Sequence, residues 1–362
     1  VEGPLIPSVR PVAAISKPLG RRLHKTITTC CWVYPVFLLI LWLVIRQLGD
    51  KWWPATLMMF GPRWASATPL PVLAGYALWR RSRLVWPVSA AVALQLFPIM
   101  GLCLPIRLMP ARNTAVQTIR VLTLNAHGGQ TSGPQLEALL AGEKPDIVLI
   151  QDWAKRMRLT FYNAPGWYTR WDADRELFVA SRFPIVNGQD LDLEDLGPEG
   201  LDVPGRETAG ECAEYVLQTP GGPITVFNVH LASPHVGFNS FLAGGSSATA
   251  RIDGNSMWRR RESTAITKRS QLVSGPLIVA GDFNTPADSD IFRMYWSSYA
   301  DAFSERGVGF GYTFYAHRSQ IRIDHILVGE GWRVRDCRIG PGVGSPHRPL
   351  IADLDLMEVS RR

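Results

Sequence analysis

Acidic residues are nearly missing from the first third of this 362-residue chain. Val1–Val116 carries only Glu2 and Asp50 against 13 lysines and arginines, a net +11, whereas Gln117–Arg362 is net −4. The overall charge of +7 therefore belongs to one end of the chain, and a nucleic-acid-binding surface spread over the whole protein is disfavoured. Cysteine is also scarce, with five residues. Cys30, Cys31 and Cys103 fall in apolar runs, and Cys212 and Cys337 stand alone, so neither a zinc-type spacing nor a disulfide framework is present. A Cys212–Cys337 pair stays open, because sequence gives no distance between them. Internal repeats and low-complexity tracts are absent as well.

The basic third is instead apolar. Three uncharged runs, Thr29–Ile45, Trp64–Trp79 and Leu84–Ile106, are broken in the second case by Pro69 and Pro71. Trp32, Trp52, Trp53, Trp64, Trp79 and Trp86 lie near the run ends, where indole rings favour the membrane interface. These features predict about three transmembrane helices within residues 29–106. A cytoplasmic segment 1–28 would precede them, a linker 107–116 would follow, and a separate folded domain would occupy 117–362. Arg10, Lys17, Arg21, Arg22 and Lys25 before the first run, and Arg80, Arg81 and Arg83 before the third, orient the chain by the positive-inside bias. The expectation is a multi-pass protein of the inner (plasma) membrane, with the C-terminal domain on the periplasmic or extracellular side.

From Thr118 onward short apolar runs end repeatedly in polar residues. Ile119–Leu124 ends in Asn125, with His127 two residues on; Ile147–Ile150 ends in Gln151-Asp152. Ile224–Val229 ends in His230, and Pro276–Ala280 ends in Gly281-Asp282-Phe283-Asn284. The last of these reads as a strand buried on both faces, followed by a turn. A carboxylate and a carboxamide two residues apart on extended backbone project to one side, a compact device for holding water or a phosphate oxygen. Asp324 lies within Ile321–Val328, and His347 precedes the closing strand Leu350–Leu356.

This ordered set, with Ser181-Arg182-Phe183-Pro184-Ile185 and His347-Arg348-Pro349, resembles the endonuclease/exonuclease/phosphatase superfamily of metal-dependent phosphodiesterases similar to deoxyribonuclease I. The resemblance covers about Gln117–Glu358, and the three-run front end looks like that of bacterial membrane-anchored members. It implies an α/β fold, a four-layer sandwich of two packed mixed β-sheets flanked by helices. It also implies roles. Asp152 stands where the family places a metal-binding glutamate, with Asn125 beside it, and Mg²⁺ or Mn²⁺ is the implied cofactor. Asp282 and Asn284 match the residues holding the attacking water and a phosphate oxygen. His230 and His347 match the two histidines flanking the scissile phosphate, and Asp324 the carboxylate that orients the second.

Two positions depart from the pattern. Asp152 is one methylene shorter than glutamate, and Pro346 occupies the place of an acidic residue near the metal, so that it offers no side-chain ligand. The metal site is then expected to be weaker, to use more water, or to recruit His127. The helix-like cluster Arg251, Arg259, Arg260, Arg261, Lys268 and Arg269 reads as a solvated face or a collector of anionic substrate. The favoured reading is a membrane-anchored phosphoesterase that hydrolyses phosphodiester or phosphomonoester bonds by in-line attack of water. Its partners would be the lipid bilayer and a lipid headgroup, nucleotide or nucleic acid, with no protein partner inferable. A nuclease of the same mechanism and a catalytically impaired membrane-bound binding protein are the alternatives.

Overall fold

A computed structural model describes residues 16–80, 83–104, 115–154, 159–172, 176–193, 210–245, 247–316 and 319–358. Most of the expected linker lies outside these residues, as do Arg10, Arg81 and the side chain of Lys17. The chain divides into two compact units, Val1–Trp42 with Trp64–Ile99, and Leu43–Arg63 with Met100–Arg362.

In the first unit the long helix α1 (Ser16–Leu48, of which residues up to Trp42 belong here) carries Cys31 and Leu38 into small apolar clusters. These clusters also hold Leu73 and Ala77 of α3 (Leu70–Arg80) and Val88 and Ala91 of α4 (Val85–Leu94); α2 (Trp53–Phe60) belongs to the second unit. Arg21–Leu48 is the one described helix long and apolar enough to cross a membrane. The expectation of three spans is therefore corrected to one apolar N-terminal helix, which by length and composition suits an anchor or a signal. Helix α3 has 11 residues, a rise of about 16 Å against the roughly 30 Å of a bilayer core. Val85–Ile99 reaches only 15 residues and ends in a π-type turn containing Pro98. Apolar composition runs on past the helices themselves: α3 begins only at Leu70 within the run Trp64–Trp79, and the helix Val85–Ile99 stops at Ile99 although the run continues to Ile106.

The second unit is built on two mixed six-stranded sheets with helices outside, as the sequence predicts. The first sheet has the order β13-β14-β1-β2-β4-β3. Its strands are β1 (Ala115–Asn125), β2 (Ile147–Gln151), β3 (Tyr168–Asp172), β4 (Leu177–Ser181), β13 (Trp332–Ile339) and β14 (Leu350–Met357). The second has the order β5-β6-β7-β8-β12-β9. It contains β5 (Ile185–Leu191), β6 (Glu211–Thr219), β7 (Gly222–His230), β8 (Leu277–Asp282), β9 (Ala300–Asp301) and β12 (Asp324–Val328). A small ribbon of β10 (Phe314–Ala316) and β11 (Ser319–Ile321) completes the strands.

The apolar runs are continuous because both faces of the central strands are covered. Ile278 and Ala280 of β8 pack between the sheets with Val121, Leu149 and Val226, while Leu277 and Val279 pack outward with Ile266. Ile266 lies on α7 (Ala248–Ser270), which follows α6 (His235–Leu242) in the crossover from β7 to β8. On the first sheet Val148 and Ile150 face Leu136 and Leu140 of α5 (Gly133–Glu143). Helices α8 (Asp290–Tyr295) and α9 (Ala302–Arg306) supply Phe292 to the outer cluster and Phe303 to the central one. Cys212 and Cys337 are both buried and are not joined in a disulfide, one lying in the outer cluster of the second sheet and the other between the sheets.

Candidate active site

Strand register carries the polar ends together. In the second sheet His230 pairs with Asp282 across the parallel β7/β8 ladder, and Asp282 with Asp324 across the antiparallel β8/β12 ladder. Asn125 ends β1 in the first sheet, and its Nδ2 donates to Asp282 Oδ2 at 2.8 Å. The two sheets thus join at this point through a hydrogen bond between side chains. Within the second sheet Gly281 lets β8 lie close to β7: its φ is 147°, and a Cβ there would lie 1.9 Å from the carbonyl oxygen of Val229.

Asp282 is the hub. It is buried, its Oδ1 accepts from the backbone N–H of Asn284 at 2.8 Å, and its Oδ2 lies 3.6 Å from His347 Nε2 and 3.9 Å from His230 Nε2. Burial pushes its carboxyl group up from the usual range, with the Asp324 charge acting in the same direction and the two histidines opposing. His347 donates from Nδ1 to Asp324 at 2.9 Å. Burial alone would lower the His347 imidazole, but Asp324 and Asp282 outweigh it and raise it to about 9. The ring therefore carries a proton on both nitrogens at neutral pH. Thr313 Oγ1 accepts from the backbone N–H groups of Ile323 and Asp324, at 3.1 Å each, which fixes the start of β12. Ser345 Oγ donates to the Asn125 carbonyl at 2.7 Å and accepts from His347 N at 3.0 Å, tying the last loop to β1.

Asn284 adopts a left-handed φ of 44° and donates from Nδ2 to the Leu231 carbonyl at 2.8 Å. One of its two amide protons is thereby committed to the backbone, leaving the other for a ligand. His230 is partly exposed beside Asn125 Nδ2, at 3.4 Å. Asn125, His230, Asp282, Asp324 and His347 thus form one contiguous group, with Asn284 attached through its backbone. The ligand atoms of Asp282, Asp324 and His347 all lie within 4.8 Å of one another, a combination able to hold a cation.

Asp152 and His127 form a more exposed arm. Both have left-handed backbone, with φ of 54° and 51°, and His127 Nδ1 lies 4.0 Å from Asp152 Oδ2. Partial burial lowers the His127 imidazole against the pull of Asp152, whose charge also reaches His347. Sequence reasoning missed Glu176, at the entry to β4. Its carbonyl accepts from Trp153 N at 2.8 Å, next to Asp152 in the chain, and its carboxyl is raised by partial burial and by the neighbouring Asp152 carboxyl. Hard oxygen donors side by side suit a divalent cation. Pro346 contributes only its carbonyl, already accepting from Tyr315 N at 2.9 Å. The signal for Glu176 was weak, since it precedes a strand and the other site residues mostly follow one.

Asn228 bridges the sheets: its Nδ2 reaches the carbonyls of Ile150 and Phe178 in the opposite sheet, at 3.3 and 3.2 Å, and its Oδ1 accepts from Gln151 at 2.6 Å. The arginine cluster on α7 forms no single solvated face. Arg259 is completely buried, Arg260 pairs with Asp290 at 3.2 Å and Arg269 with Glu214 at 2.6 Å. Arg322 does pair with a carboxylate at the sheet edge, Asp301 at 3.3 Å, whereas Arg348 lies over the Tyr315 ring.

Comparison with known proteins gives the following. A family profile described as "Endonuclease/Exonuclease/phosphatase family" matches residues 122–347, well over half the chain. Among curated proteins none matches significantly. Among solved structures, an endonuclease/exonuclease/phosphatase from Beutenbergia cavernae is 17% identical, with 67% of this chain and 72% of that one covered and a TM-score of 0.49. A humanized D. rerio TDP2 is 13% identical, covering 66% and 99%, with a TM-score of 0.49. The human Nocturnin catalytic domain with a bound sulfate anion is 17% identical, covering 66% and 95%, with a TM-score of 0.47.

Proposed function

Because the chain belongs to the endonuclease/exonuclease/phosphatase family, whose members are hydrolases of phosphoester bonds, we propose that it is a metal-dependent phosphoesterase. It acts on phosphodiesters, or phosphomonoesters, by in-line attack of water. The observation that carries this reading is the hydrogen-bonded group Asn125–Asp282–His347–Asp324, with His230 at its open edge.

Asp282 holds the attacking water and takes its proton; Asn125 and the Asn284 N–H keep the carboxylate oriented. As the water oxygen bonds to phosphorus, the ester P–O bond breaks on the opposite side. His347, held in position by Asp324, presents Nε2–H to a non-bridging phosphate oxygen, where negative charge grows. His230 is the more exposed histidine and donates a proton to the departing oxygen. Asp152 and Glu176, with Asn125 and His127 beside them, would hold Mg²⁺ or Mn²⁺. Such an ion supplies neutralisation of phosphate charge. Glu176 provides the second carboxylate that Pro346 cannot.

In this reading the apolar helix Arg21–Leu48 is a membrane anchor crossing once. Arg21, Arg22 and Lys25 keep its start in the cytoplasm, so a single crossing leaves the sheet-bearing unit on the periplasmic or extracellular side, as three would. A nuclease of the same mechanism is the second reading. The net −4 of residues 117–362 disfavours it, because duplex affinity comes largely from neutralising phosphates. The test is hydrolysis by the full chain in detergent of bis-p-nitrophenyl phosphate, phospholipid vesicles and plasmid DNA, with Mg²⁺, Mn²⁺ or EDTA. Metal-dependent turnover of the first two substrates is expected; preferential cleavage of DNA would favour the nuclease. Absence of turnover on all three would overturn both.

A further inference from the structure

Arg259 is the most deeply buried charge of the α7 cluster, and no step above uses it. Its side chain is 0% exposed, and a guanidinium taken out of water must be matched by close partners. Nη1 donates to the Asn284 carbonyl at 2.5 Å and Nη2 to Ser256 Oγ at 3.1 Å. The charge of the buried Glu262, three residues on, also favours the guanidinium, but the largest opposing charge comes from a distant part of the sequence. Asp50 Oδ1, itself 0% exposed, lies 3.9 Å from Nη2, and the Phe60 ring lies 5.2 Å from the guanidinium carbon. Asp50 Oδ1 and Arg259 Nε have no hydrogen-bond partner, so a carboxylate and a guanidinium meet in a dry site chiefly as charges.

The rest of Leu43–Arg63 grips the same stretch of chain. Asp50 Oδ2 accepts from Ile291 N at 3.1 Å, Lys51 pairs with Asp290 at 3.0 Å, and Arg63 makes a two-pronged bond to Asp288 at 2.9 and 3.1 Å. Arg293 donates to the Arg46 carbonyl at 2.8 Å. These contacts fall on residues 288–293, six to eleven positions after Asp282. We propose that Arg259 is a positioning residue for the loop Asp282–Asn284, and that Asp50 and Phe60 of the segment Leu43–Arg63 hold it in place. Its pull on the Asn284 carbonyl keeps that residue in left-handed backbone, which in turn aims the Asn284 N–H at Asp282. The segment is thereby part of the catalytic frame rather than of a membrane region alone. This inference builds on the phosphoesterase reading only where turnover is the readout.

The experiment uses the full chain and the variants Asp50→Asn, Arg259→Lys, Arg259→Met and the double variant Asp50→Asn/Arg259→Met. Asp50→Asn keeps shape and the Ile291 contact but removes the charge facing Arg259. It should lower kcat for bis-p-nitrophenyl phosphate about tenfold or more with little change in KM, as expected when a reacting group is misplaced. Arg259→Lys should retain more kcat than Arg259→Met, and the double variant should fall less than the product of the single effects. Amide hydrogen exchange at Asn284, read without substrate, should speed up in Asp50→Asn. A wild-type chain without turnover would sink the phosphoesterase reading while leaving the exchange result to decide the positioning role. Folded Asp50→Asn and Arg259→Met proteins with unchanged kcat and unchanged Asn284 exchange would overturn the inference.

Discussion

His347 sits between two buried carboxylates, and its charge state follows from that placement. Its imidazole is raised to about 9, above the unfolded value near 6.5. The stabilisation from its ion pairs is therefore fully present below about pH 6.5 and lost as the pH rises through about 9. In the metal-free chain its ring resonances should titrate near pH 9 by NMR, and Asp324→Asn should move that midpoint down; an unshifted midpoint would mean that Asp324 does not set the charge. The Asp152–Glu176 pair makes a separate prediction. Glu176→Gln should weaken Mn²⁺ binding, measured calorimetrically, by about tenfold or more, whereas Pro346→Ala, which adds no ligand, should leave it unchanged. Equal affinity in Glu176→Gln would return the role to His127.

At the scale of elements, the site depends on strand ends meeting across two sheets. Gly281→Ala forces a Cβ into the Val229 carbonyl oxygen, which is backbone and cannot swing aside. It should lower the stability of the folded chain by more than about 2 kcal/mol, seen in denaturant unfolding, and activity should fall with it. Asn228 joins β7 to β2 and β4 through three hydrogen bonds in a dry interior. Asn228→Ala leaves their partners unmatched and should cost about 1–3 kcal/mol. A stability equal to wild type would mean that the opposing strands find other partners. At the front end, α1 has the length of a span and α3 and α4 do not. Cysteine labelling from the two sides of a membrane should therefore find residues on either side of Arg21–Leu48 in different compartments, with no further change of side across α3 or α4.

At the scale of the whole molecule, the sheets and the buried end of the site were legible because they obey local rules. Apolar runs such as Leu277–Ala280 announce strands covered on both faces, and polar residues placed directly after them must emerge at one sheet edge. Asn125, His230 and Asp282 end such runs, while the roles of all three and of Asp324 and His347 were implied by the family resemblance; the five do converge. What remained hidden depends on contacts across long stretches of sequence. Asp50 lies 209 residues before Arg259, and nothing near either one signals that they meet. Glu176 escaped because its approach to Asp152 is set by two left-handed loop residues that no periodicity encodes. The membrane count failed because hydropathy sums apolar length without registering where a helix begins and ends.

The account stands or falls on Asp282 and His347 acting together in metal-dependent phosphoester hydrolysis. The direct measurement is turnover of bis-p-nitrophenyl phosphate by the full chain with Mn²⁺, beside Asp282→Asn and His347→Gln proteins shown to be folded. The prediction is hydrolysis abolished by EDTA, restored by Mn²⁺, and reduced by roughly 10²–10⁴-fold in each variant. Turnover that survives EDTA, or that persists in either folded variant at the wild-type rate, would contradict it.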